Sequence, residues 1–229
     1  MKIAIFGSGG VGGYFGGRLA ASGEEVTFLA RGAHLAAMQQ GGLRITSPLG
    51  DAHIARVQAT DRPQAVGRVD VILLTTKMYD TDAAAETLAP MIGPETVVIT
   101  LQNGVDAVDM VAARVGRAHV AGGAAYIVAV IQEPGHIRHT TAQQLVFGEV
   151  DGRRSDRLVA FEQACVKAGF QAKASETIQA DLWVKFVRLA TWSGMTSVTR
   201  SPMGIVRDTP QLFEMMMSAI EEVIAVGTA

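Results

Sequence analysis

The sequence predicts an α/β fold: a doubly wound, mostly parallel sheet followed by an all-helical second domain. Three observations carry this expectation. Short apolar runs suited to buried strands alternate with helical periodicity up to about residue 173. The first run leads straight into a glycine cluster and then a helix, the order of a βαβ unit. From Ser175 onward the pattern is helical, with no convincing strand.

Taken in order, Lys2–Phe6 reads as a buried strand, Tyr14–Ser22 as a helix and Glu25–Ala30 as a second strand. Ala33–Gln40 reads as a helix stopped by Gly41 and Gly42. Val69–Thr75 and Thr96–Leu101 are further apolar strands, separated by an expected helix over Thr81–Met91. His119–Val130 and His136–Phe147 carry β-branched residues on either side of a turn at Glu133-Pro134-Gly135. Asp181–Ala190 and Pro210–Val226 are expected helices of the second domain. The domains are therefore placed at residues 1–173 and 174–229.

With 48% of 229 residues hydrophobic, the chain can build one sizeable core and a smaller second one. Only 18% of residues are charged and the formal net charge is -2, which offers no electrostatic reason to expect nucleic acid or an anionic membrane as partner. A small basic pocket for an anionic metabolite remains compatible with that balance. The single cysteine, Cys165, rules out a disulfide within the chain and lies in an amphipathic helical stretch, where it reads as a buried thiol. The short apolar start runs into glycines without a cleavage site, and no apolar stretch reaches the roughly 18 residues of a membrane span. A soluble cytoplasmic protein is the expectation. No metal-ligand cluster is expected.

Gly7-Ser8-Gly9-Gly10-Val11-Gly12 fits G-x-G-x-x-G at the strand-to-helix turn. Gly7 suits the tight turn, Gly9 the close approach of a pyrophosphate, and Gly12 the packing of helix on sheet. A free helix N-terminus would meet the phosphates. The first domain is thus expected to be a Rossmann-type dinucleotide-binding domain. An NAD site would place an acid at the tip of the second strand. Here Arg31 stands there, suited to a 2′-phosphate, so NADP is the expected cofactor. The competing reading of Arg31 is a solvated surface arginine.

Further words resemble the ketopantoate reductase (2-dehydropantoate 2-reductase) family: Thr75-Thr76-Lys77, Gln102-Asn103-Gly104 and Leu182-Trp183-Val184-Lys185-Phe186, with Glu133-Pro134-Gly135 and Phe147-Gly148-Glu149. The resemblance runs along essentially the whole chain in the same order. It implies NADPH-dependent reduction of ketopantoate to pantoate, a step towards pantothenate and coenzyme A. It implies cofactor contacts at Lys77 and Asn103, substrate contacts at Asn103, Lys185 and Ser193, and Lys185 as the catalytic group. Lys77 and Asn103 follow strands directly, where open α/β sheets bind ligands. An ammonium beside a ketone oxygen would meet the charge that hydride addition creates and deliver the proton. The bland alternatives are a surface lysine at Lys77, a turn former at Asn103 and a lysine on the wet face of a helix at Lys185.

Members of that family commonly carry asparagines four and eight residues after this lysine; here those positions are Leu189 and Ser193. Thr196 and Ser197 are candidates to replace the missing contacts. The departure keeps other substrates open: another 2-oxo acid, an imine as in opine dehydrogenases, or a non-catalytic NADP sensor. Phe213, Met216, Met217, Ile220, Val223 and Ile224 form an apolar helical stripe that needs a cover, and a homodimer is one way to supply it. The resemblance implies further helices and a catalytic glutamate beyond Ala229, for which Glu221 and Glu222 come too early. The expectation is therefore a chain covering part of such a protein.

Overall fold

The computed structural model describes residues 1–228. The chain divides into two compact units, Met1–Ile178 and Gln179–Ala229. In the first, the strands are β1 (Lys2–Phe6), β2 (Glu25–Leu29), β3 (Leu43–Thr46), β4 (Ala52–Ile54), β5 (Gln58–Thr60), β6 (Val71–Leu74), β7 (Val97–Thr100), β8 (Val120–Glu133), β9 (His136–Glu149) and β10 (Gln171–Ala174). The helices are α1 (Gly10–Ala21), α2 (Gly32–Gly41), α3 (Thr81–Ala85), α4 (Ala107–Val115) and α5 (Asp156–Lys167), followed by α6 (Ile178–Thr199), α7 (Met203–Asp208) and α8 (Pro210–Thr228).

The strands form one sheet in the order β4-β3-β9-β8-β7-β6-β1-β2-β5, with β10 on β9. β1 pairs in parallel with both β2 and β6, so the chain moves outward on one side of β1 and then returns to its other side. Reversal of strand order opens a crevice beyond the carboxyl ends of the strands. The core strands are fully buried and almost wholly apolar, as in Val-Ile-Leu-Leu of β6 and the Val-Val-Ile that precedes Thr100 in β7. Tyr14, Phe15 and Leu19 of α1 and Phe161 and Cys165 of α5 cover this sheet. Burial pushes the Cys165 thiol up, and the charge of Glu162 adds to it, so the thiol stays protonated in the core.

The expected helix over Thr81–Met91 shortens to the five residues of α3. The Thr87 hydroxyl donates to the Ala84 carbonyl at 2.8 Å, and Pro90 has no N–H to give the Glu86 carbonyl. β3, β4, β5 and β10, with α4 and α7, are elements that periodicity did not resolve. Helix α6 starts at Ile178 and runs on to Thr199, past the expected end at Ala190.

Glu149, at the end of β9, is buried at 3% exposure. Burial raises its carboxyl pKa, but hydrogen bonds from Arg157 and Ser155 outweigh that and hold it below the usual value. Arg157 reaches it through Nε at 2.7 Å and Nη2 at 2.8 Å, a bidentate pair tying β9 to α5.

The second unit contains a small core of Met195, Val206 and Met216, with Met203, Leu212 and Ile220 against it. Within the apolar stripe of α8, Met216 is buried while Phe213, Met217 and Ile224 remain exposed. Among the described residues, no helix is long and apolar enough to cross a membrane, and no group of three or more His, Cys, Asp or Glu could hold a metal ion.

Candidate active site

A cavity of about 500 Å³ opens beyond the carboxyl ends of β1, β2 and β6. Its wall includes Gly7, Ser8 and Gly9 after β1, Arg31 after β2, and Thr75, Thr76 and Lys77 after β6. The glycine turn is pinned to the strand tips. The Gly7 and Ser8 N–H groups and the Ser8 hydroxyl all donate to the Leu29 carbonyl, at 3.3, 3.1 and 3.0 Å. From the other side, the Thr75 hydroxyl donates to the Gly7 carbonyl at 2.5 Å. Ser8 is therefore spent on anchoring the turn.

Two glycines show opposite constraints. Gly7 has φ +103°, and a Cβ there would stand 2.9 Å from the Thr76 nitrogen, so turn and neighbouring strand both require glycine. A Cβ on Gly9 would meet nothing within 4 Å. Its lack of side chain serves no protein packing, and the space it leaves belongs to the cavity wall. Gly12 packs inward, where a Cβ would come close to the Gly7 carbonyl and Thr75 Oγ1. Gly10 rests against the Ala129 carbonyl of β8 in the same way, and Val11 packs partly buried against the core. These three residues are not on the cavity wall, but their N–H groups precede the first intrahelical bond, from Gly13 to Gly9 at 2.7 Å. Helix α1 has no side-chain cap and no acid in its first turn, so nothing in the sequence fills that positive end.

Arg31 is exposed on the wall, and its guanidinium makes no ion pair with a described residue. Lys77 is likewise exposed on the wall. Asp61, just after β5, and Asp80, three residues past Lys77, also line the cavity, so its wall carries charges of both signs. Asn103 lies exposed in the loop after β7, outside the wall.

The cavity adds residues that sequence reasoning missed. His34 on α2 accepts a hydrogen bond from the Gly135 N–H at Nδ1, 3.0 Å away, so the ring proton belongs on Nε2. That nitrogen is buried without a hydrogen-bond partner, although the Ser8 main chain lies beside it. Burial lowers the His34 pKa and keeps the ring neutral. The buried Thr76 hydroxyl also lacks a partner. The polar edges of His34 and Thr76 give this part of the cavity wall hydrogen-bonding capacity that suits a polar ligand. No local sequence signal marks His34, because its partner lies 101 residues away.

In the second unit, Lys185 is only 9% exposed. Desolvation, with the charge of Arg188 adding to it, lowers its pKa to about 8. A buried lysine titrating near neutrality is suited to proton transfer. Leu189, one turn on, is 36% exposed, and the Ser193 hydroxyl donates back to the Leu189 carbonyl at 2.5 Å.

A glycine turn, an uncapped helix end and a cavity at the switch of strand order define a dinucleotide-binding protein of the oxidoreductase type. Comparison with known proteins narrows the class. Residues 3–152 match the family described as ketopantoate reductase PanE/ApbA, and residues 177–229 match ketopantoate reductase PanE/ApbA C terminal. The 2-dehydropantoate 2-reductase of Mesorhizobium japonicum is 33% identical over 227 residues, covering 90% of this chain and 69% of that protein. The Archaeoglobus fulgidus enzyme of the same name is 31% identical over 222 residues, covering 97% of this chain and 72% of the other. Among solved structures, 2-dehydropantoate 2-reductase from Geobacter metallireducens superposes with a TM-score of 0.94 at 27% identity, over 100% of this chain and 76% of that one. D-mandelate dehydrogenase in complex with NADH shares the fold, at a TM-score of 0.87 and 21% identity. The chain belongs to the ketopantoate reductase family of oxidoreductases.

Proposed function

We propose that this chain reduces a 2-oxo acid, ketopantoate first among candidates, with NADPH as hydride donor, in the branch that leads to pantothenate. The observation that carries the reading is Lys185, a buried lysine whose pKa falls to about 8. Bound NADPH would supply the hydride to the ketone carbon. The Gly7–Gly12 turn and the first N–H groups of α1 would hold the pyrophosphate, and Arg31 and Lys77 the 2′-phosphate. The open space at Gly9 and the orphaned polar atoms of His34 and Thr76 fit such a ligand. Asn103 would orient the nicotinamide ribose and substrate, with both a donor and an acceptor to offer. Lys185 would meet the negative charge growing on the ketone oxygen and give it the proton, leaving a neutral amine for solvent to reprotonate.

Leu189 favours a second reading, in which the substrate is another branched 2-oxo acid with an apolar group against this helix. A panel of 2-oxo acids assayed for oxidation of NADPH and of NADH tests both. Ketopantoate should be the best substrate and NADPH the better donor. Turnover of no 2-oxo acid with either cofactor would refute the proposal.

A further inference from the structure

We propose that Gln102 is a positioning residue for the dinucleotide: its buried amide ties the turn that carries Lys77 to the loop that carries Asn103, and so sets these cofactor contacts relative to each other. This rests on the NADPH reading above. Strands β6 and β7 lie side by side, and their pairing extends one step further through the Leu101 N–H, which donates to the Leu74 carbonyl at 2.9 Å. Beyond that bond the chains leave the sheet, one towards Lys77 and the other towards Asn103. Among the described residues no further main-chain hydrogen bond joins them.

Side chains take over from there. Gln102, directly after Leu101, is 5% exposed, and its amide Nε2 donates to the Thr81 hydroxyl at 3.2 Å. Thr81 is the first residue of α3 and is fully buried. Its hydroxyl donates in turn to Met78 Sδ at 3.7 Å, a weak bond back into the turn Met78–Asp80 that follows Lys77. The Asp80 N–H closes that turn on the Lys77 carbonyl at 3.0 Å. Gln102 thus reaches from the tip of β7 to the turn built on Lys77, while its own neighbour Asn103 stands exposed.

Energetics separate this role from simple packing. Gln102 Oε1 is buried without a hydrogen-bond partner. A buried amide with one end unpaired carries a desolvation cost that a methionine of similar volume would not. Packing alone therefore favours the apolar residue, and what the amide adds is the tie between the two loops. Lys77 is exposed, so its side chain loses rotamer freedom when it takes hold of an anion. A main chain already fixed at its base removes the backbone part of that cost, and the gain appears as affinity.

Fluorescence titrations with NADPH compare wild type with Gln102→Met, Thr81→Val and the two combined. Each single change removes the same bond at nearly constant volume. Each should weaken NADPH about fivefold, the factor of one neutral hydrogen bond, and the combination should do no worse than either alone. Thr81→Ser keeps the hydroxyl and should return affinity close to wild type. Lys77→Ala supplies a readout that a merely structural role would not move. In wild type it should weaken NADPH at least about tenfold, the effect of losing a contact to a charged group. In Gln102→Met the further loss should shrink to about two- to fivefold, because a misplaced Lys77 has less contact to lose. Urea melts check that each variant is folded, and if Gln102→Met does not fold, Thr81→Val carries the same comparison. Unchanged affinity in Gln102→Met, multiplying losses in the combined variant, or a Lys77→Ala effect that is absent in wild type or undiminished in Gln102→Met would overturn the role of Gln102 and leave NADPH as the cofactor. A wild type that binds no dinucleotide would overturn both.

Discussion

Replacing Lys185 with alanine removes the group proposed to act in the transition state. Such a contact strengthens as hydride arrives, so its loss should appear mainly in kcat. Losing one comparable donor costs on the order of 10²–10³ in turnover. NADPH affinity should hardly move, because the glycine turn and Arg31 are intact. The pH dependence follows from the pKa of about 8. Reduction needs the ammonium form, so wild-type kcat/KM should be flat below about pH 8 and fall above it as the lysine loses its proton. The same shift has a stability consequence. Burial disfavours the charged form, so the unfolded chain binds more protons between about pH 8 and the ordinary 10.5, and Lys185 adds stability as pH rises through that window. Each pKa unit corresponds to about 1.4 kcal/mol, giving a gain of about 3 kcal/mol. Lys185→Ala should lose this alkaline gain relative to wild type. Stopped-flow and steady-state rates from about pH 6 to about pH 10, a range that spans the pKa, with chemical denaturation at each pH, measure both effects. A fall in turnover below about tenfold, or no alkaline limb, would refute the assignment of Lys185.

The remaining predictions concern the first unit. Arg31→Ala should weaken NADPH by about 1.5–3 kcal/mol, the range for hydrogen bonds to charged groups, and leave NADH nearly unchanged; equal losses in fluorescence titrations would sink the 2′-phosphate assignment. Gly9→Val should fold normally, since Gly9 has φ -72° and open space at its Cβ, yet fail to bind either cofactor; unchanged affinity would place the dinucleotide elsewhere. Arg157→Ala should destabilise the fold by about 3–5 kcal/mol, because it strands the buried Glu149 carboxylate. Glu149 has a lowered pKa, so its stabilisation is present above the ordinary carboxylate range and lost as pH falls through the folded value. The gap between wild type and Arg157→Ala in urea melts should therefore narrow in acid, and a gap independent of pH would contradict this account.

What the amino-acid order determines by itself is local. Continuous apolar runs make β1, β6 and β7 recognisable, because strands buried on both faces need no alternation. The glycine turn and Arg31 are legible for a similar reason: their spacing from β1 and β2 is set by the covalent chain. The short strands β3, β4 and β5 carry no such signal, since three or four half-buried residues are too few to establish a period. Tertiary structure alone decides which strand lies beside β1. By bringing β6 there rather than β3, it puts Thr76 and Lys77 on the same wall as Gly9 and Arg31. It alone pairs His34 with Gly135 and so selects the ring tautomer. It also decides the state of Lys185. Helical periodicity reads a lysine as a residue for the wet face, and the amino-acid order contains no measure of how much water folding removes from it. Burial does that, and desolvation turns an ordinary ammonium into one that can give up its proton near pH 8.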